Sequence, residues 1–471
     1  MSKIQIADQK GTSEMQTTSV RRVIVEPGGD QVAAHIGLHA LGAFADQLGL
    51  GSALSARIPI ARTRPPLHDR GKVLVHQMLV LAGGGESCAD IEYLRVDEDL
   101  FADVCSDSTL YRTFTENLDE TVLAEVKAGF AEVRETVWRR AKLIKGEDPV
   151  VLDIDASLVD VHSENKEGAA PNYKYGFGFH PMFCIADATG EALSALLRPG
   201  NATANCAEDH LRVLDEAIAQ LPRAIAAGHR PGDPPAAVRR SVVVRADSAG
   251  ATQGFVWGCR ERNVGFAVAA RSNAQITAAI SLVADDGGRW KPALRQNGRH
   301  RKGAAVAEVT DLVDISHWPR GTRLLIRREP LHPGAQASLF PSLEYRYWGH
   351  YTDQAGAPSR RDVFMRGHAN IEDALGRLKD AGLLRFPFVD LDANRAWLAE
   401  VCFAHDLVRW FQRLCLSGDL AAAEPKILRW RLWHAPARKV RSGRRVVVRI
   451  LDAWPDAPAI LRAHRRIALL T

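Results

Sequence analysis

The sequence predicts an α/β chain: a ribbon of buried strands forming a mixed five-stranded sheet with helices, a helical region before it, a β-rich insertion within it and a basic helical tail after it. Three observations carry this. Apolar, β-branched runs such as Val242-Val243-Val244 recur between residues 150 and 270, as buried strands require. Between them lie stretches whose apolar residues repeat at the helical period. Cations crowd toward the C-terminal end, which points to a polyanionic partner.

With 471 residues, two or three domains are expected. Hydrophobic residues at 46% and charged residues at 25% are globular proportions, so extended disorder is excluded. The net charge of +5 is modest, but from Glu424 onward twelve lysines and arginines face three acids, Glu424, Asp452 and Asp456. The seven cysteines form no CxxC pair, so neither a zinc site nor a disulfide framework is indicated. A reducing, cytoplasmic setting is expected, with no apolar signal core and no membrane partner.

Taken in order, residues 1–30 read as a polar leader with a strand near Val23–Val25, closed by Gly28-Gly29. Residues 31–130 read as a helical, DNA-binding domain. Helical spacing runs over His35–Leu50 and Val73–Leu81, then over Ala89–Leu94 and Thr109–Asn117. Ser106-Asp107-Ser108-Thr109 is an N-terminal cap for the last of these. That pair of helices reads either as a groove-binding helix, turn, helix or as ordinary packing.

A catalytic domain over 131–415 follows. Val150–Asp155, Phe179–Ala186 and Ala192–Arg198 read as strands, the last two divided by the turn Asp187-Ala188-Thr189-Gly190. Ala207–Leu221 reads as a helix, Ser241–Asp247 as a strand, Gly250–Arg262 as a helix and Val264–Ala270 as a fifth strand. Three strands, helix, strand, helix, strand is the element order of the ribonuclease-H-like fold. An insertion at about 272–348 carries β-like runs at Ile280–Val283, Ala305–Val309, Arg323–Arg327 and Glu344–Trp348. Helices return at His368–Asp380 and Ala393–Leu414, and residues 416–471 form the basic, DNA-contacting tail.

The chemistry is sought where buried strands end in acid. Alternation puts Asp153 and Asp155 on one face of their strand, and Asp247 closes Val243-Val244-Arg245-Ala246. A carboxylate there caps a turn, makes an ion pair, or holds a metal. Two carboxylates about 4 Å apart repel by roughly 4 kcal/mol at an effective dielectric near 20, and a divalent cation removes that penalty. The segment 365–379 adds a third acid. Ile371, Ala374, Leu375 and Leu378 form its apolar stripe, and His368, Glu372 and Lys379 share another face. Alone, that face reads as solvated; with the two strand-end acids, the order Asp, Asp, Glu favours an active site for two-metal phosphodiester chemistry.

The chain resembles the IS1380 family of bacterial insertion-sequence transposases, within the IS4-type DDE group. The resemblance runs over roughly residues 20–465. It is carried by Leu152-Asp153-Ile154-Asp155-Ala156-Ser157, Gly178-Phe179-His180-Pro181, Leu197-Arg198-Pro199-Gly200-Asn201-Ala202, Val244-Arg245-Ala246-Asp247-Ser248, Arg366-Gly367-His368 through Glu372, and Leu407-Val408-Arg409-Trp410. It implies that Asp155, Asp247 and Glu372 are the catalytic, metal-binding acids, with Asp153 the rival for the first. In the signature Tyr-x2-Arg-x3-Glu-x6-Lys, Lys379 takes the Lys position, while Met365 and His368 stand where Tyr and Arg are expected. Arg366 then supplies the cation.

The resemblance further implies two Mg²⁺ (or Mn²⁺) ions per site, hydrolysis at the element's ends and strand transfer by the freed 3′-OH. The partners implied are double-stranded DNA, as terminal inverted repeats and target, and a second copy of the chain in a homodimer on DNA in the bacterial nucleoid. Lys379, His368, Arg366, Arg198, Arg444 and Arg445 are the candidate DNA contacts, and Arg429-Trp430-Arg431-Leu432-Trp433 interleaves cations with rings. A nuclease of the same fold without strand transfer, and a non-catalytic DNA-binding relative, remain as alternatives.

Overall fold

The computed structural model describes residues 32–59, 66–101, 103–331, 345–442 and 445–470. The expected leader over 1–30, its strand at Val23–Val25, and Arg444 lie outside them.

The helical expectation for the first region holds. Helices α1 (Ile36–Gln47), α2 (Leu50–Ser55), α3 (Arg70–Gly83), α4 (Asp107–Glu116) and α5 (Glu120–Arg140) follow in order. Ser106 caps α4 by accepting from the Thr109 N–H, as its hydroxyl at that position dictates. α4 buries Leu110, Thr113 and Phe114 and exposes Tyr111 and Arg112. Helix α5 runs unbroken through residue 130, where the composition changes.

The sheet comprises β1 (Val150–Ala156), β2 (Met182–Ala186), β3 (Glu191–Leu196), β4 (Val242–Ala246), β5 (Val264–Ala270), β6 (Lys291–Leu294), β7 (His300–Glu308), β8 (Arg323–Pro330) and β9 (Tyr345–Thr352). Its order is β6-β7-β8-β9-β5-β4-β1-β2-β3. β2 is antiparallel to β1 and β3, whereas β1, β4 and β5 are mutually parallel.

The expected five strands are therefore part of a sheet of nine among the described residues. β9 pairs antiparallel with β5, Gly349 opposite Ala270. An edge strand leaves a row of backbone groups unpaired, and the insertion satisfies them instead of folding apart. Its first β-like run is corrected as well. Ile280–Val283 belongs to helix α8 (Ala274–Val283), capped by Asn273 accepting from the Ile276 N–H, and a good cap overrides four β-prone residues. The crossover helices α6 (Ala207–Gln220) and α7 (Gln253–Glu261) precede it.

Helices α9 (Pro358–Arg366), α10 (Ile371–Leu378), α11 (Leu391–Cys415) and α12 (Ala457–Ala468) follow the insertion. The tail is not wholly helical. Strands β10 (Ala437–Ser442) and β11 (Arg445–Ile450) form a hairpin, because Val446-Val447-Val448 is β-branched and fits a pleated surface.

The two larger cores among the described residues lie on opposite sheet faces. Leu152 and Ile154 pack with Val213 and Phe255 of α6 and α7. On the other face Phe183, Ile185 and Ala192 join α11 and the N-terminal helices. There Phe130 stacks on Phe403 and Trp410 at 4.2 and 4.7 Å. Strand alternation thus turns Asp153 and Asp155, away from Leu152 and Ile154, toward the side of α10 and α11. Among the described residues no helix is long and apolar enough to cross a membrane.

Candidate active site

β1 and β4 run parallel with Ile154 beside Ala246. The next residue on each strand is an acid, so Asp155 and Asp247 end neighbouring strands, whose spacing is about 4.8 Å. Asp155 is half-buried and Asp247 exposed. Each also serves its turn: Asp155 Oδ1 accepts from the Ala156 N–H at 2.7 Å, and Asp247 Oδ1 from the Ala249 N–H at 2.8 Å.

The third acid arrives on a separate segment. After α9, a 3₁₀ turn over Gly367–Asn370 leads into α10, with Glu372 in its first turn. α10 buries the expected stripe, Ile371, Ala374, Leu375 and Leu378, and Glu372 is exposed. The Asp155 carboxyl is held above the usual range, first by burial and then by the negative charges of Asp247 and Glu372; the Ala156 N–H and His368 pull the other way. Asp247 and Glu372 are thus near enough to raise the Asp155 carboxyl. Their donors are carboxylate oxygens, the chemistry that suits Mg²⁺ or Mn²⁺. As the side chains stand, no group of three His, Cys, Asp or Glu among the described residues is close enough to hold an ion.

Asp153 is placed differently. It is 1% exposed, and Arg245 grips both its oxygens, Nε to Oδ1 at 2.8 Å and Nη2 to Oδ2 at 2.6 Å. His368 Nδ1 lies 2.9 Å from Asp153 Oδ1. Of the two acids on this strand face, Asp153 is the one held by an arginine and a histidine, and Asp155 is the more open.

Several cations expected on DNA turn inward. Arg198 is 3% exposed; it donates to His180 O at 3.0 Å and pairs with Asp209 at 3.1 Å. Arg366 pairs with Asp362 at 2.9 Å and donates to Leu294 O. His368 faces Asp153. Arg429 donates to Ala82 O and Asp380 O, Arg431 pairs with Asp419 and Asp456, and Trp433 is buried. Lys379 is half-buried just past α10, Arg445 is exposed on β11, and Trp430 is 77% exposed.

Sequence reasoning missed Arg245, Asp187 and Asn370. A signal for Arg245 was there: it precedes Asp247 by two residues, as Asp153 precedes Asp155, so a parallel pairing that aligns the acids also aligns an arginine with an aspartate.

The family described as transposase DDE domain group 1 matches residues 15–471. A cryo-EM structure of the piggyBac transposase synaptic complex with hairpin DNA aligns with this chain at 11% identity and a TM-score of 0.37, covering 80% of this chain and 76% of that one. No curated protein matches it in sequence.

Proposed function

Because the chain belongs to the transposase DDE domain group 1 family, we propose that it is the transposase of an IS1380-type insertion sequence, cutting and rejoining DNA at Asp155, Asp247 and Glu372. The reading rests on one observation above all: the parallel pairing of β1 with β4 brings Asp155 and Asp247 to neighbouring strand ends. The order β3-β2-β1-β4-β5, with β2 antiparallel to both neighbours, supports a ribonuclease-H-like core.

Asp155 and Asp247 would hold metal from the strand ends, and Glu372, exposed on α10, would supply the third carboxylate. Burial, and after it the charges of Asp247 and Glu372, lift the Asp155 carboxyl, and a divalent cation would relieve the repulsive part. When bound, two Mg²⁺ or Mn²⁺ ions lower the pKa of the attacking water and stabilise the departing 3′ oxygen. The water oxygen bonds to phosphorus as the bond to that 3′ oxygen breaks. In the joining step the 3′-OH so freed bonds to the phosphorus of a target phosphodiester as the bond from that phosphorus to the target strand's own 3′ oxygen breaks, leaving a new 3′-OH.

Duplex DNA is the proposed partner, bound by a homodimer at the terminal inverted repeats, in the cytoplasm on the nucleoid. Lys379 sits where it serves as a point charge for a phosphate. The β10–β11 hairpin presents Arg438 opposite Arg449 and Ser442 opposite Arg445. The hairpin's first strand also pairs with Val32–Ala33, which leaves β11 as the outer strand to meet DNA. The exposed Tyr111 and Arg112 of α4 are a second candidate contact.

The test is Mg²⁺-dependent cleavage of DNA carrying the element's ends, followed by transfer of pre-cut ends to a target. Wild-type cleavage by both Asp155→Ala and Glu372→Ala sinks the assignment. Cleavage without transfer leaves a nuclease of the same fold.

A further inference from the structure

Arg245 is 3% exposed, and its guanidinium joins β1, the β2–β3 turn and α9. It grips Asp153 of β1 with two bonds, 2.8 and 2.6 Å. Its Nη2 also meets Asp187, in the β2–β3 turn, at 2.8 Å. Its Nη1 donates to Phe364 O at 2.8 Å, and its Cζ lies 5.1 Å from the Phe364 ring centre. Two further bonds close the circuit: His368 to Asp153 at 2.9 Å and Asn370 Nδ2 to Asp187 Oδ1 at 3.1 Å. Gly367 is part of the fit, because a Cβ there would collide with Arg245 Nη1.

β1 and β4 do not need this ion pair to stay together, since their ladder already joins them from Val150 and Val242 to Ile154 and Ala246. A buried pair costs several kcal/mol of desolvation per ion, and an apolar pair of similar volume often stabilises as well. What a planar guanidinium adds is direction. Here it runs from the two acid-bearing strands to Phe364 O, while its partners Asp153 and Asp187 hold His368 and Asn370, Asn370 lying two residues before Glu372.

We propose that Arg245, oriented by Asp153, is a positioning residue that registers the Glu372 segment against the ends of β1 and β4, and so sets how closely Glu372 approaches Asp155 and Asp247. This rests on reading those three acids as metal ligands. Supporting shells of this kind change metal affinity by about tenfold to a hundredfold when removed.

The experiment uses the full chain with Mn²⁺ as probe. Thermal unfolding is followed against Mn²⁺ concentration without DNA, and cleavage against Mg²⁺ concentration with it. Arg245→Lys keeps the charge but loses the fork. The expected result is an unfolding temperature in chelator near that of wild type, a half-saturating Mn²⁺ concentration raised about tenfold or more, and cleavage that recovers as Mg²⁺ is raised. A normal wild-type response with unchanged half-saturation in Arg245→Lys overturns the positioning role and leaves the metal reading standing. A wild type that ignores Mn²⁺ overturns both. If Arg245→Lys fails to fold, Asn370→Ala decides: it removes one exposed bond of the circuit, a raised half-saturation supports the proposal, and an unchanged one overturns it.

Discussion

Asp155 stands beside Asp247, one residue beyond the paired Ile154 and Ala246 of two parallel strands. Asp155 is the more buried of the two, and its proton is held more tightly than in an unfolded chain, first by burial and then by repulsion from Asp247 and Glu372.

Asp155→Asn is expected to stabilise the metal-free protein while abolishing cleavage. A carboxyl whose pKa is raised by folding binds more protons in the folded state, so wild-type stability falls as pH climbs from the ordinary carboxylate range through the raised value. The neutral amide removes that loss. In chelator at pH 7 the variant should melt roughly a degree or two higher, and the gap should close toward pH 4. Added Mn²⁺ should raise the melting temperature of wild type and leave the variant unmoved. A variant that melts lower than wild type at pH 7 contradicts the repulsion.

Arg134→Met is expected to be severely destabilising. Arg134 is 1% exposed and pairs with Glu191 at 2.9 Å and Asp406 at 2.6 Å. The same Glu191 accepts from Trp138 and Trp410, each at 2.8 Å, so α5, β3 and α11 share one polar knot. Removing the cation strands two buried carboxylates, a loss of about 3–5 kcal/mol. Lys127→Met, which breaks the half-exposed pair with Glu216 at 3.0 Å, should cost about 1 kcal/mol or less. Urea unfolding midpoints compare the two, and equal losses would refute the knot.

Arg445→Gln and Arg449→Gln should weaken duplex binding by similar factors on all sequences. Each lost phosphate contact lowers the log–log salt slope by about 0.9. Anisotropy titrations of labelled duplex at several salt concentrations read this directly. An unchanged slope removes the hairpin from the DNA surface.

Gly382→Ala should destabilise without touching the acids. Gly382 has φ 104°, at the break after α10, where an L-residue is strained by about 1–2 kcal/mol. Its Cβ would also meet Leu81 Cδ2 at 2.7 Å. The urea midpoint should fall while Mn²⁺ half-saturation stays at the wild-type value. A midpoint equal to wild type would mean that the backbone there relaxes.

The sequence alone determined what is local. Alternation along Val150–Asp155 sets which acids share a face, the run Val242-Val243-Val244 marks a buried strand, and the spacing of Ile371, Ala374, Leu375 and Leu378 puts Glu372 off the buried stripe. These follow from the two- and 3.6-residue periods of the backbone. Only the tertiary structure decided which partner each charge meets. Asp153 finds Arg245 across 92 residues and His368 across 215; Arg198 and Arg366 turn inward; and the insertion's strands continue the sheet. Those outcomes depend on register between distant segments and on the cost of leaving a buried charge or a strand edge unpaired, and no periodicity along the chain encodes which segment supplies the partner.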